Sequence, residues 1–452
     1  MYSRLLGYKP ELKQITKLAY PIILGQLGWV LMGVADTIMV GKLGKDALAG
    51  VNQANNIFFL LSGLTFGVLF AVSTLVSIKV GEGRANEGFL TYRAGLLIAF
   101  VLFAVQWGLN TTLIYNFEIL GQSKEVNEIA PRFLKIVNWS VLPMLIFLTC
   151  RQFSDGLGHT RISMFITILG LVLNVVLNWI LISGNLGFPA LGIEGAAYAT
   201  LIARIVMAIC GLYYIRYAKF MQQYLPTKMP SFREILPETK VVWKMGIPIA
   251  LQTFAEWACF AFSGIMVGWY GSVQLAAHAV ALNAASVTYM VASGFAIAGS
   301  ILVGNGFGEH NKLKIRRVAN ATFILLGAYE VLNALIFIVF NKQIASLYGV
   351  TVDVMPLILP LFFLAALFQI SDGIQAGAMS ILRGIKDVVP ASAIAVISYW
   401  FVSLPLSYYF GEIWHKEVYG IWMGFTIGLF VASILGVMRF YRKIKKLEFY
   451  ES

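Results

Sequence analysis

Apolar runs long enough to carry a helix across a bilayer, about 20 residues each, recur from one end of this 452-residue chain to the other. Hydrophobic residues make up 59% of the chain and charged residues only 12%, against about 25% charged in soluble proteins. The runs number twelve, near 14–39, 48–79, 91–115, 130–156, 161–183, 192–218, 240–268, 275–306, 316–341, 356–383, 389–411 and 419–441. The expected fold class is therefore an all-α integral membrane protein with twelve transmembrane helices.

The net charge of +12 does not point to nucleic acid, because the basic residues sit mostly in short loops between apolar runs. They gather at Arg4, Lys9, Lys13 and Lys17, between Arg216 and Lys244, and in the tail Arg439–Lys446. The positive-inside rule then places both termini in the cytoplasm. The basic start leads into a span too long for a cleaved signal, so the first helix is expected to stay as a signal anchor. Cys150, Cys210 and Cys259 all fall inside apolar runs and lack metal-ligand spacing, which reads as small buried hydrophobes.

The chain also repeats itself. Pro21–Gly44 and Pro248–Gly271 share Pro, Ile, Leu, the run Ile-Met-Val-Gly and a final Gly at an offset of 227. Asn56 matches Asn283, and Lys79-Val-Gly-Glu82 matches Gly306-Phe-Gly-Glu309; Asp155-Gly156-Leu157 falls opposite Arg383-Gly384-Ile385. Each half holds six spans, an even number, so the halves are parallel repeats related by an axis along the membrane normal. The division expected is an N-lobe over 1–218, a cytoplasmic linker over 219–239 with three prolines, and a C-lobe over 240–452 ending in a basic tail. Such symmetry puts the substrate path in a central cleft between the lobes and suggests transport by alternating access.

Few ionisable residues remain deep in the spans, and an acid there costs about 2.5–3.5 kcal/mol even on lenient scales, so each is a functional candidate. They are Asp36, Arg204, Glu256, Glu330 and Asp372, with Arg151, Asp155 and Arg383 nearer the cytoplasmic ends. Arg151 and Asp155, at i and i+4, read as a helix-surface ion pair near the interface. Arg204 either pairs with an acid or snorkels, and Glu330 has no repeat partner or motif. Glu256 and Asp372 each lie near the middle of a span in the same half, and Phe368, Asp372 and Gln375 share one helix face. Two carboxylates in one dry cavity cannot both stay ionised cheaply unless a proton or a cation sits between them. That is what an ion-coupled exporter needs. In the first half Asp36 is expected to meet Asn174 and Asn178, which share a face at i and i+4. The run GNGFGE at 304–309 ends an apolar helix rather than following a strand, so it is a helix terminus and not a dinucleotide site. No Walker A run, zinc-protease motif or nucleophile elbow is present.

With these residues in view the chain resembles the multidrug and toxic compound extrusion (MATE) transporters across essentially its whole length. The resemblance is carried by PIILGQLGWVLMGVADTIMVGKLG, its twin beginning PIALQTFAEW, LAAHAVALN at 275–283, SDGIQAGAMSILRGIKD at 371–387 and SYWFVSLPLSYYF at 398–410. The acid in the seventh span together with that in the tenth resembles the NorM branch. The resemblance implies a two-lobe secondary transporter of the bacterial inner membrane, monomeric and without a cofactor. It would expel organic cations and other toxic compounds by antiport with H⁺ or Na⁺. It also implies that Glu256 and Asp372 form the second-lobe cation site, where Na⁺ would be held, and that Asp36, Asn174 and Asn178 form the first-lobe polar cluster. Gln375 and Phe368 join the binding residues. Two positions depart from the pattern: Phe368 stands where sodium-type members have a tyrosine, and Ala279 replaces a glutamine after the histidine. With no phenol oxygen at 368, the coupling ion expected is H⁺, or Na⁺ bound weakly. Two rivals are a lipid-linked oligosaccharide or lipid II flippase of the same superfamily, which should line its cavity with Arg and Lys, and a membrane-embedded enzyme, which should show clustered catalytic groups at a span end.

Overall fold

The computed structural model describes residues 7–448; Arg4, one of the basic residues used above for topology, lies outside them. Among the described residues every regular element is a helix. Twelve are long and apolar enough to cross a membrane: α1 Lys9–Gly41, α2 Lys45–Gly81, α3 Ala85–Tyr115, α4 Lys124–Gly156, α5 Thr160–Ser183, α6 Ile193–Tyr217, α7 Phe232–Gly268, α8 Ser272–Gly308, α9 Lys312–Val339, α10 Met355–Gly384, α11 Val388–Ile413 and α12 Glu417–Lys445. Each takes up one expected span, and all but α6 extend past it at one end or both, because polar residues at the membrane surface continue the helix. The overrun is largest at α7, which absorbs the end of the 219–239 stretch. The cause is a capping box: the Ser231 N–H donates to the Glu234 carboxylate at 2.6 Å, which starts a helix inside what composition marks as linker.

The chain divides into two compact units that do not follow the repeat boundary. One comprises Leu24–Ala250, called here the first lobe; the other joins the chain up to Ile23 to everything from Leu251 onward, the second lobe. Both boundaries fall inside a helix, two residues after a proline, Pro21 in α1 and Pro248 in α7. Proline has no N–H to donate to the carbonyl one turn back, so each helix is weakened where it passes from one unit to the other.

Each half therefore lends the start of its first helix to the other lobe, and matched contacts hold both segments. In the first lobe Gly67 of α2 lies so close to α7 that a Cβ there would sit 2.3 Å from Ala250 Cα; in the second lobe a Cβ on Gly294 of α8 would sit 2.3 Å from Ile23 Cγ1 of α1. The two glycines are 227 apart in sequence, as are Ile23 and Ala250. An ion pair closes each segment's polar end. Arg317 of α9 grips Glu11 through Nε (2.6 Å) and Nη2 (3.2 Å), while Glu238 accepts from Lys79 Nζ at 2.8 Å and Thr91 Oγ1 at 2.5 Å. Glu11 and Glu238 are again 227 apart. The repeat shows once more at Gly156 and Gly384, where a Cβ would meet the carbonyls of Ser73 and Ser300 at 2.7 and 2.8 Å.

Behind these contacts lie apolar cores. In the second lobe Ile15, Ala19 and Ile22 of α1 pack with Ala298, Val318, Met379 and Phe440. A second cluster gathers Cys259, Phe362, Phe368, Tyr399, Trp422 and Phe425. The first lobe packs Met32, Phe147, Ile166 and Met207 together.

The two glycine contacts differ in how much they can yield. Gly67→Ala drives a methyl into backbone and is expected to cost about 1–3 kcal/mol, the usual range for overpacking. Gly294→Ala meets a side chain, Ile23 at Cγ1, rather than backbone, and should cost less, although the β-branched isoleucine yields only by changing rotamer. Melting temperatures of the two purified variants in detergent check the order; equal losses would mean that the α7 segment gives way as readily as the isoleucine.

Candidate functional site

In the first lobe four side chains from three helices form a closed hydrogen-bonded ring around Asp36. Asn174 and Asn178 project from one face of α5 because they are one turn apart, and both are fully buried. Asn178 Nδ2 donates to Asp36 Oδ1 at 2.5 Å and to Asn174 Oδ1 at 3.2 Å. Asn174 Nδ2 reaches Thr200 Oγ1 of α6 at 3.4 Å, and that hydroxyl donates to Asp36 Oδ2 at 3.1 Å. Each carboxylate oxygen thus takes one neutral donor. The residues expected to meet do meet, and Thr200 joins them; a threonine in an apolar helix gives no sequence signal that separates it from ordinary helix–helix glue.

One turn beyond Thr200, Arg204 is buried without an ion pair to any described acid. Its Nη1 donates to Ser140 Oγ at 2.6 Å, its guanidinium stands 4.9 Å from the Phe58 ring centre and 5.7 Å from that of Trp29, and its Nε has no partner. Its charge still bears on Asp36. Neither reading of Arg204 from sequence, pairing or snorkelling, describes it: the cation turns inward and rests on aromatic faces. Arg151 and Asp155 do pair, at 3.4 Å, but both are buried rather than on a helix surface.

The second lobe handles its acids differently. Asp372 on α10 is buried, and its Oδ1 has no hydrogen-bond partner; one turn on, Gln375 Oε1 is equally unpaired. The charges of Glu256 on α7 and Glu330 on α9 both bear on Asp372. Glu330 comes close because Gly373 has no side chain: a Cβ there would lie 2.3 Å from Glu330 Oε1. Asn333 donates to the other oxygen of Glu330 at 3.3 Å. Glu330, which no motif marks in the sequence, is thereby built into the neighbourhood of Asp372. Arg383 supplies a positive charge that acts on Glu256, and its Nη2 donates to Ser380 Oγ at 3.0 Å.

Two aromatic positions bear on what this lobe can bind. Phe368 is buried among rings, 6.1 Å centre to centre from Phe260 and 5.4 Å from Trp422. It serves the apolar core. Tyr399 of α11, which the sequence does not single out, is 1% exposed, and the charges of Glu256 and Asp372 act on its hydroxyl. The Glu256 carboxylate takes a side-chain hydrogen bond from that hydroxyl. A phenol oxygen is therefore present among the second-lobe acids, at 399 rather than 368. No group of three or more His, Cys, Asp and Glu side chains suited to a metal ion occurs among the described residues.

Residues 21–180 and 248–409 match the MatE family, one stretch in each half of the chain. A probable multidrug resistance protein NorM of Rhizobium meliloti is 32% identical over 448 residues, covering 95% of this chain and 93% of that protein. One from Bacillus anthracis is 33% identical over 451 residues, covering 97% of both. Among solved structures, a eukaryotic MATE transporter superposes with a TM-score of 0.89 at 19% identity, over 97% of this chain and 98% of that one.

The ring around Asp36 makes a direct prediction. Thr200→Val removes one donor to the carboxylate and the acceptor of Asn174, and is expected to lower stability by about 1.5–3 kcal/mol, as for a buried hydrogen bond to a charged group. Thr200→Ser keeps the hydroxyl and should lose clearly less. Thermal unfolding of the two variants in detergent decides; a serine variant as unstable as the valine one would show that the methyl group, not the ring, matters.

Proposed function

This chain belongs to the MatE family, and on that premise we propose that it is a secondary multidrug efflux transporter that exchanges organic cations for H⁺ or Na⁺. It is a multi-pass membrane transporter and not an enzyme. The observation that carries the reading is the buried Asp372 carboxylate, with an unpaired oxygen and the charges of Glu256 and Glu330 around it. Such a group has two ways to offset its burial, binding a small cation or binding a cationic substrate. If both compete for the same charge, arrival of one releases the other, which is the chemistry of antiport. Offering the site to one side of the membrane at a time, by opening of the lobes in alternation, then converts an ion gradient into export. The NorM relatives, named as multidrug resistance proteins, support the substrate class.

In this reading Glu256, Asp372 and Gln375 form the coupling site, with Phe368 as packing behind it. The Asp36, Asn174, Asn178 and Thr200 ring gives the first lobe an acid oriented by neutral donors. The transporter works as a monomer in a bacterial inner membrane, needs no cofactor, and keeps both termini and the 219–239 stretch in the cytoplasm. The lipid-linked flippase reading is disfavoured because the first lobe's buried Arg204 is engaged by Ser140 and two rings.

Efflux from proteoliposomes under separately imposed Na⁺ and H⁺ gradients tests the proposal. The membrane potential supplies about 2.3 kcal/mol per elementary charge per 100 mV, so an exporter stripped of its coupling charge loses a driving force of that order. Glu256→Gln and Asp372→Asn should each abolish gradient-driven efflux, and Asp36→Asn should weaken it; normal efflux by either second-lobe variant would remove the coupling site assigned here. Cysteines placed singly at Ser123 and Ser231 report topology. An impermeant reagent outside intact cells should label the first and not the second, and the reverse pattern would invert the orientation.

A further inference from the structure

Glu330 is a buried acid to which the coupling site proposed above gives no part. It is 2% exposed on α9, and the hydrogen bond it accepts from Asn333 Nδ2, at 3.3 Å, is a long one. Among the described residues no basic side chain pairs with it. An acid held this deep in a span without a cation is a functional candidate by its cost alone. Its seat is formed by two glycines one turn apart on α10. A Cβ on Gly377 would lie 2.4 Å from Leu326 Cδ1, and a Cβ on Gly373 would lie 2.3, 2.6 and 2.7 Å from Glu330 Oε1, Cγ and Cδ. Leu326 and Glu330 are themselves one turn apart, so two side chains of α9 fill two successive gaps in α10. The first is apolar, as packing alone requires. The second ends in a carboxyl group laid against the residue that follows Asp372.

α9 packs against α8 and α10, and the charged groups on those helices decide what this carboxyl does. On α10 the neighbouring acid is Asp372, on which the charges of Glu330 and Glu256 both act. On α8 the phenol of Tyr289 feels Glu256, Asp372 and Glu330 alike. Arg383 acts on Glu256 and Tyr289, so its charge is spent away from Glu330 and Asp372. Gln369, one turn before Gly373 on the same face of α10, is 3% exposed; its Oε1 accepts from Thr288 Oγ1 at 2.9 Å and its Nε2 has no partner. The seam between α9 and α10 thus holds two acids and an idle amide donor. Neighbouring carboxyl groups without a cation resist ionising together and titrate as a pair. We propose that Glu330 tunes the exchange at Asp372: its carboxyl, admitted by Gly373, obliges Asp372 to ionise beside a second acid, and so sets how acidic the medium must be before protons displace a cationic substrate. When substrate arrives, the Asp372 proton leaves to water on the open side and the cation takes its place. Glu330 acts through Asp372 and touches neither. The inference rests on the antiport reading above and adds its pH sensitivity.

The test is binding of tetraphenylphosphonium, whose charge is permanent, to the full-length purified protein in Na⁺-free detergent solution across a pH series. Wild type should bind the cation more tightly as pH rises. In Glu330→Gln, Asp372 ionises without that like charge beside it, so the midpoint of the rise should move toward acid by about one pH unit. Gly373→Ala keeps every acid but puts a methyl group where the carboxyl lies. The flexible Glu330 side chain must then withdraw, and the midpoint should move the same way by less. The double variant should match Glu330→Gln, because the methyl group then has no charge left to displace. Glu330→Asp, a methylene short of Gly373, should shift in the same direction and serves if Glu330→Gln does not fold. A midpoint unchanged in folded Glu330→Gln, a further shift in the double variant, or wild-type binding independent of pH overturns the inference. Failure of the antiport reading looks different: efflux then survives Glu256→Gln and Asp372→Asn.

Discussion

Everything in this fold depends on two helices being able to leave one compact unit and seat in the other. In a bilayer, lipid tails are as apolar as leucine, so burying more apolar surface does little to hold helices together. What holds them is close packing, and the closest packing occurs where a glycine lets backbone meet its neighbour. Gly67 against Ala250 and Gly294 against Ile23 supply it at matched points of the repeat. Pro21 and Pro248 weaken the same helices two residues before each crosses its unit boundary. The Glu11–Arg317 and Glu238–Lys79 pairs anchor the segments at their polar ends. Tight backbone contact, a weakened turn and a partly exposed ion pair follow one another along each helix. Both contacts of each segment lie within the unit that the segment joins, with the proline between them.

The lobes built on this shared scaffold treat buried charge in opposite ways. In the first, each oxygen of one acid takes a neutral donor, although Asn178 Oδ1 is left unpaired, and the nearby cation rests on aromatic faces. In the second, three acids share a neighbourhood with Arg383, and protein donors do not satisfy all of their oxygens. A closed ring is rigid and specifies geometry; an incompletely satisfied cluster is where a small cation gains most by binding. The same physical cost, a buried acid, is met once with neutral donors and once with an oxygen left open.

The spans and the repeat were legible in the sequence because both are written in hydropathy and in recurring small residues, at a scale that tolerates local error. The Asp36 cluster was legible because Asn174 and Asn178 are one helical turn apart in otherwise apolar surroundings. Thr200 and Tyr399 were not: Thr200 stands alone in an apolar helix, and Tyr399 lies in the run SYWFVSLPLSYYF among other aromatic residues from which the sequence does not separate it. Phe368, Asp372 and Gln375 share a face by their helical spacing, but residues all round this part of α10 are buried, so burial does not single that face out. Which way the phenylalanine ring turns from that face depended on Phe260 and Trp422, contributed by distant segments. The packing of α1 and α7 was also hidden, because a repeat alignment pairs equivalent residues without saying which unit each helix joins. At α7 a local signal did exist, the Ser231–Glu234 capping box, but the surrounding prolines and charges outweighed it.

Duplication copies a scaffold, and function arises where the copies differ. Opposite Asp36 the second half carries Ser263, and opposite Glu256 the first half carries Trp29. Neither change is neutral. Trp29 faces Arg204, so the position that holds an acid in one lobe holds an aromatic partner for a cation in the other. Asp155 and Arg383 invert charge at a third matched pair, the first in an ion pair with Arg151 and the second acting on Glu256. Glycines and prolines recur because they set how helices meet, and the acids Glu11 and Glu238 recur with them at the polar ends; the charges deep in the spans, Asp36, Arg204, Glu256, Glu330 and Asp372, do not. The asymmetry of the acids within a symmetric frame leaves one lobe with an acid held by neutral donors and the other with acid oxygens unpaired.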